Sequence, residues 1–431
     1  MKEKKLRPML SNLWRKIKKF FIFLKVGFVL ASRDIRRTSV WTTGLITFVM
    51  MLTFLNLIVV RGILVGLIEG SIIANRDRML GDVFIDPLSN KKYVDDTQAM
   101  VDFIWSLPET EAVSVRYTAG GRAEADYKDK VQREDITDSA GVIVAGIDPV
   151  AEDKATRLSE WVVDGEYLTP EDSDMVMVGS NILYRYTPIE DETIKTAAVG
   201  SRIRLLIGGA EKEVIIKGVV RTKAGGVDSR VFINSSQLRE ILGKQDLDAN
   251  EIAIVLKSGA DADGFKQVLV NNRFDSAGNI RTGAEALPKF VLDIQQTFNI
   301  LGNVIGGIGL VVASITIFIV IFVNAITRRK YIGILKGIGV SGRAIELSYI
   351  IQSVVYAGGG IMAGMMVIYG LIKPYFDKNP IDFPFSDGIL VADIPGVMLR
   401  AMVLFVATMI AGYIPARIVV KQNTLDAILG R

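Results

Sequence analysis

Catalysis near neutral pH needs a side chain that titrates or attacks there, and this 431-residue chain is short of them. It has no histidine, the residue whose own titration lies between pH 5 and 8 and the commonest metal ligand. Without histidine, Ser-His-Asp and HExxH chemistry are excluded. It has no cysteine either, which removes a thiolate nucleophile, a disulfide framework and thiolate metal sites. Carboxylates, lysines, tyrosines and serines remain. Residues 69–293 hold 39 Asp and Glu against 27 Lys and Arg, a net of −12, yet no EF-hand spacing occurs among them. Acids at that density read first as a solvated face. No G-x-x-x-x-G-K-[ST] occurs, so the chain carries no P-loop. The expectation is a protein that is not an enzyme, with no catalytic residue and no metal or cofactor of its own.

One stretch does point to a task. Thr327 to Arg343, TRRKYIGILKGIGVSGR, carries Arg328, Arg329, Lys330, Lys336 and Arg343 without an acid. Between the cations run Tyr331, Ile332, Gly333, Ile334, Leu335, Gly337, Ile338 and Gly339, too apolar for an ordinary solvated loop. Its glycines lack the Lys-Ser/Thr pair of a phosphate loop, so packing and turn formation are their expected roles. An apolar segment edged by cations suits a surface that docks onto a partner.

The elements around it belong to a membrane. Half of the residues are hydrophobic and the mean hydropathy is positive. The fold class expected is membrane α-helical, with four transmembrane helices and an extracytoplasmic α+β domain inserted between the first and second. The spans are read at 41–65, 298–326, 347–372 and 394–416, each long enough for a hydrocarbon layer of about 30 Å. Basic residues in short loops stay inside. Residues 1–40 hold twelve Lys and Arg against Glu3 and Asp34, with Trp14, Ile17, Phe20, Phe21, Leu24 and Phe28 at helical spacing. That pattern suits an amphipathic helix on the inner face of the membrane. Residues 1–40, the 327–346 loop and the 417–431 tail therefore fall in the cytoplasm, and 66–297 with 373–393 outside. Arg61 and Arg400 lie near the outer ends of their spans, where an arginine can snorkel. Gly302-x-x-x-Gly306, and Gly360-x-x-x-Gly364 with Gly358 and Gly359 before it, offer small faces for close helix packing.

Between the first two spans the texture changes. Short β-rich runs at 82–85, 141–146, 175–178, 214–220 and 251–256 alternate with helical windows near 95–107, 149–160, 235–242 and 261–271. The break between Leu242 and Ile252 suggests two subdomains, one inserted into the other.

This layout resembles the four-span permeases of the MacB, LolC/LolE and FtsX superfamily of ABC systems. That family follows its second span with a basic pair, Glu-Ile-Gly-Ile-Leu-Lys-Ala-Ile-Gly-Ala and a further Arg. Here the stretch reads Arg328-Arg329-Lys330-Tyr331-Ile332-Gly333-Ile334-Leu335-Lys336-Gly337-Ile338-Gly339-Val340, then Arg343, with Tyr331 in place of the acid. Gly81-Asp82-Val83-Phe84-Ile85, Ala145-Gly146-Ile147-Asp148-Pro149, Asp164-Gly165-Glu166-Tyr167-Leu168 and Lys217-Gly218-Val219-Val220 are similar to family phrases and occur in order. So are Pro415-Ala416-Arg417 and Thr424-Leu425-Asp426-Ala427-Ile428-Leu429 at the end, with Thr424 where Pro is common. The resemblance implies a permease of the cytoplasmic (inner) membrane, both termini inside, paired with a second permease copy or paralogue. It implies a separate cytoplasmic ABC ATPase holding ATP and magnesium, with 328–343 as the coupling helix. Mechanotransmission to the outer domain would then extract or export a lipoprotein, amphiphile, peptide or drug. Membrane lipid and a periplasmic adaptor or substrate protein are further expected partners, and nucleic acid is not. The alternative is an FtsX-like regulatory module that activates a cell-wall hydrolase or senses a peptide; the large outer domain favours transport.

Overall fold

The computed structural model describes residues 22–127, 138–188, 192–383, 386–388 and 390–422. Most of the aromatic-basic segment at the start and the Thr424–Leu429 phrase lie outside them; residues 22–37 are helical.

Among the described residues, four helices are long and apolar enough to cross a membrane: Val40–Leu80, Lys289–Thr327, Gly342–Lys378 and Ile394–Val420, spans one to four. The first three outrun the apolar windows that announce them. Val40–Asn75 is one unbroken α-helix of 36 residues, about 54 Å long, closed by a π-helical turn at Arg76–Leu80. Lys289–Thr327 has 39 residues, about 58 Å. Apolar composition marks only the part that meets hydrocarbon. A helix continues past it as long as no proline or turn signal stops it. At the head of span four the stop and start are explicit: Asp393 accepts from the Gly396 N–H at 2.7 Å, and Pro395 occupies the first turn.

The chain divides into two compact units. One comprises the residues up to Gly66, Gln296–Ile381 and those from Gly388 onward; the other comprises Leu67–Gln295 with Asp382–Asp387. The membrane unit is built on inward stripes at four-residue spacing. Ile46, Met50, Phe54 and Ile58 of span one join Ala313, Ile317, Ile321 and Ala325 of span two in one buried cluster with residues of spans three and four.

The other unit holds strands β1 (Val83–Asp86), β2 (Thr110–Ala125), β3 (Asp138–Ile147), β4 (Val162–Gly165), β5 (Met175–Gly179), β6 (Arg202–Ile207), β7 (Ala210–Val220), β8 (Arg230–Asn234), β9 (Glu251–Leu256) and β10 (Asn279–Thr282). Strand β2 serves two lobes. Its first half pairs with β9, which continues through β1 to β10 and is backed by helices Thr97–Ser106 and Ala262–Asn271 over a core of their own. Its second half pairs with β3, and from there the hydrogen bonds run through β8, β5, β7 and β6 back to β2. Six strands thus close on themselves around a second core. Closure leaves this ring without a free edge. The chain returns to the first lobe between Leu242 and Glu251.

The two lobes meet at a buried ionic cluster. Arg116, on β2 where it passes from one lobe to the other, donates from Nε and Nη2 to the two oxygens of Glu152, both at 2.7 Å. Ser114 and Thr156 hydroxyls donate to the same carboxylate at 2.5 and 2.9 Å. Arg230 grips Glu251 in the same two-pronged way, at 2.7 Å each. Arg116 Nη1 also donates to the Met79 carbonyl in the π-helical turn at 2.7 Å. Burial alone would raise the Glu152 and Glu251 carboxyls; the guanidiniums, joined at Glu152 by the two hydroxyls, outweigh it and hold both below the ordinary carboxylate value.

These pairs make the fold acid-sensitive. Their folded-state values lie below the unfolded ones, so their stabilisation is complete above the unfolded carboxylate value near pH 4.5. It is lost as pH falls through the lower, folded-state value. Arg116→Met strands a buried carboxylate and is expected to cost about 3–5 kcal/mol. Urea unfolding of the purified chain at pH 7 checks this, and the deficit should shrink below pH 4.

Candidate functional site

The segment singled out by its charges folds as a short helix, Arg329–Gly337, between spans two and three. It is held at both ends. At its start, Arg328 Nη1 donates to Asp34 Oδ1 at 2.5 Å, and Asp34 also accepts from Gln352 Nε2 of span three at 3.4 Å. Gln352 in turn accepts from Asn324 of span two at 3.3 Å. Burial pushes the Asp34 carboxyl up, against the opposing pull of Arg328, Gln352 and Arg37.

At its end the helix closes in a Schellman turn. The Gly339 N–H reaches the Lys336 carbonyl at 3.0 Å, and the Val340 N–H reaches the Leu335 carbonyl at 2.9 Å. Gly339 sits at φ +93°, which only glycine adopts cheaply. Leu335 and Val340, the two residues bridged by that bond, both pack against the core of the membrane unit. Lys336 Nζ donates to the carbonyls of Val420 and Gln422 at 3.0 and 2.9 Å, capping the C-terminus of span four.

These contacts divide the residues expected to couple. Ile332 and Gly333 are buried, Leu335 is half-buried against its own bundle, and Arg328 and Lys336 are engaged within the chain. Arg329 and Tyr331 are half-buried. Lys330, Ile334, Gly337, Ile338, Gly339 and Arg343 face out. Ile334 is 51% and Ile338 73% exposed, and with Lys330 they form a stripe at four-residue spacing. The outward face of this helix is thus apolar with a cationic end.

The small faces pack where span one meets its neighbours. A Cβ added to Gly360 would lie 2.5 Å from Met50 Cβ, and one on Gly364 2.5 Å from Phe54 Cδ1. Gly306 faces Leu57 more loosely, at 3.5 Å, and Gly302 faces the Arg61 stem at 3.2 Å. Asp34 and Gln352 were not singled out from the sequence. Asp34 did leave a signal, being one of two acids among twelve cations in residues 1–40.

Comparison with known proteins adds the following. Residues 303–424 match the family model described as FtsX-like permease C-terminal. An uncharacterized ABC transporter permease of Methanocaldococcus jannaschii, MJ1507, is 24% identical over 281 residues, covering 62% of this chain. The match spans 65% of that relative's length. Among solved structures, the extracellular domain of the noncanonic ABC-type transporter YknZ from Gram-positive bacteria is 14% identical with a TM-score of 0.31. It covers 46% of this chain and 97% of that one. The periplasmic region of MacB from Actinobacillus actinomycetemcomitans is 10% identical with a TM-score of 0.33, covering 50% and 91%.

The Schellman turn yields a test. Gly339→Val places a β-branched residue at positive φ and should cost about 1–3 kcal/mol locally. Gly337→Ala, whose added Cβ meets nothing, should be neutral or stabilising by up to about 1 kcal/mol. Hydrogen exchange over residues 329–340 should quicken in the first variant and not in the second.

Proposed function

We propose that the chain is a permease of the MacB/FtsX superfamily of ABC systems, and that it couples ATP hydrolysis by a separate cytoplasmic ATPase to movements of its extracytoplasmic unit. ATP and magnesium belong to that partner, and a second permease completes the assembly. The observation that carries this reading is the helix Arg329–Gly337, with Ile334 and Ile338 in solvent while both ends are tied into the bundle. Solvent-exposed isoleucines on a firmly held helix cost free energy unless something covers them. A hydrophobic groove on the ATPase, receiving the helix by its i, i+4 stripe, is the occupant that fits.

Charge sets the orientation: the basic ends at Arg328, Arg343 and Arg417 stay in the cytoplasm, and the acidic residues 67–295 lie outside. Spans one and two supply the path of transmission. Both are continuous helices longer than the hydrocarbon layer, so a displacement at one end reaches the other without crossing a loop. Among the described residues the buried face of the bundle holds no Asp, Glu, Lys or Arg, which favours transmission of motion over a charged conduction path. The substrate class this suits is a lipoprotein, amphiphile, peptide or drug taken up outside the membrane.

The exposure pattern selects the variants. Ile334→Asp with Ile338→Asp should abolish complex formation with the cognate ATPase and its stimulated hydrolysis, while membrane insertion and thermal unfolding stay as in the parent. Leu335→Asp instead buries a charge against the bundle and should lower the unfolding temperature itself. Full ATPase coupling in the Ile334/Ile338 double variant would sink the docking role.

A further inference from the structure

Spans one, two and four line an open cavity of about 290 Å³ whose walls include two arginines, Arg61 and Arg400. Arg61, Asn303 and Arg400 lie about 20 to 24 residues from Val40, Thr327 and Val420, the ends of their spans nearest the Arg328 segment. At 1.5 Å per residue this is roughly 30–36 Å, which brings all three to the opposite interface of a bilayer.

Neither guanidinium is satisfied. The Arg61 stem lies across Gly302, whose missing side chain makes room for it. Its Nη1 donates to Asn303 Oδ1 at 2.6 Å, but its buried Nε has no partner. No hydrogen bond reaches the Arg400 guanidinium among the described residues, and it lies within reach of the like charge of Arg61. Asp393, an acid whose charge also reaches it, commits an oxygen to the Gly396 N–H. Two cations in one cavity, with donors unspent, call for an anion carrying several acceptor oxygens. Leu57, Leu310 and Val403 line the rest of the cavity with hydrocarbon. A free anion has no use for that surface, whereas a glycerol backbone and the start of an acyl chain do.

We propose that Arg61 and Arg400 bind the phosphodiester of an anionic phospholipid drawn from the leaflet at that end of the bundle. Asn303 fixes the Arg61 fork through Nη1, leaving Nη2 and the Arg400 donors for the phosphate oxygens. The site is independent of the docking helix and of any ATPase.

Native mass spectrometry of the full chain, delipidated in neutral detergent, tests this with three probes: short-chain phosphatidylglycerol, short-chain phosphatidylcholine and inorganic phosphate. Saturable binding of phosphatidylglycerol, weakened at least about tenfold by Arg61→Gln with Arg400→Gln, is expected. Arg61→Lys with Arg400→Lys should retain part of it. Gly307→Leu, at a position where an added Cβ meets nothing in the chain, should narrow the cavity and weaken binding without touching either arginine. Undiminished binding in the Gln variant, with its unfolding temperature unchanged, would overturn the proposal. So would equal retention of phosphatidylcholine. Displacement by inorganic phosphate at the lipid's own concentration would reassign the site to a soluble anion and overturn the lipid source.

Discussion

In hydrocarbon a helix gains little by burying leucine against another helix rather than against an acyl chain, so how closely backbones approach decides which helices associate. In this bundle that approach is made at Gly360 and Gly364, where span three has no side chain between its backbone and Met50 and Phe54 of span one. The rest of the membrane unit is registered on this contact. It sets the height of span three, hence the level at which Gln352 meets Asp34 and Asn324, and from there the point where Arg328 begins the short helix. Span four leans on the same element, with Gly412 against Ser353.

The other unit faces water and solves a different problem. Its cores are driven together by ordinary apolar burial, which fixes little about direction. Direction comes from hydrogen bonding: a ring of six strands with no free edge, and two-pronged arginine–carboxylate pairs where β2 passes from one lobe to the other. Such pairs add less net stability than apolar residues of the same volume would, but an unmatched arrangement strands a charge, so alternatives are penalised heavily.

Much of this was legible in the residues, and the reasons for what was not are physical. Apolar length and the bias of basic residues mark four spans, because bilayer thickness and loop charge act on composition itself. Strand runs such as Met175–Gly179 and Glu251–Leu256 stand out for the same reason: buried on both faces, they are nearly all apolar. Strand β2, Thr110–Ala125, escaped, since it carries Ser114, Arg116, Arg122 and Glu124 and its partners lie far off in sequence. The helix ends escaped as well, because a polar helix reads like a polar loop until its packing is known. In the 327–343 segment the residue types were evident, but that Leu335 turns in against its own bundle while Ile334 and Ile338 face out was not. Ile332, Ile334 and Ile338 are alike in composition and differ only in the side of one short helix they occupy.

The anchoring of that helix has a mechanical consequence. Arg328 ties it to the 22–37 helix through Asp34, Lys336 to the end of span four, and the Gly339 turn leads directly into span three. A load on Ile334 or Ile338 is therefore shared among several supports instead of being absorbed by bending of a linker. Stiffness in parallel adds, so this short lever has low compliance even though each tie is only a hydrogen bond or an ion pair. Severing one tie would soften it by degrees, and a push of a few ångströms would arrive at the bundle reduced in amplitude while the helix itself stayed folded.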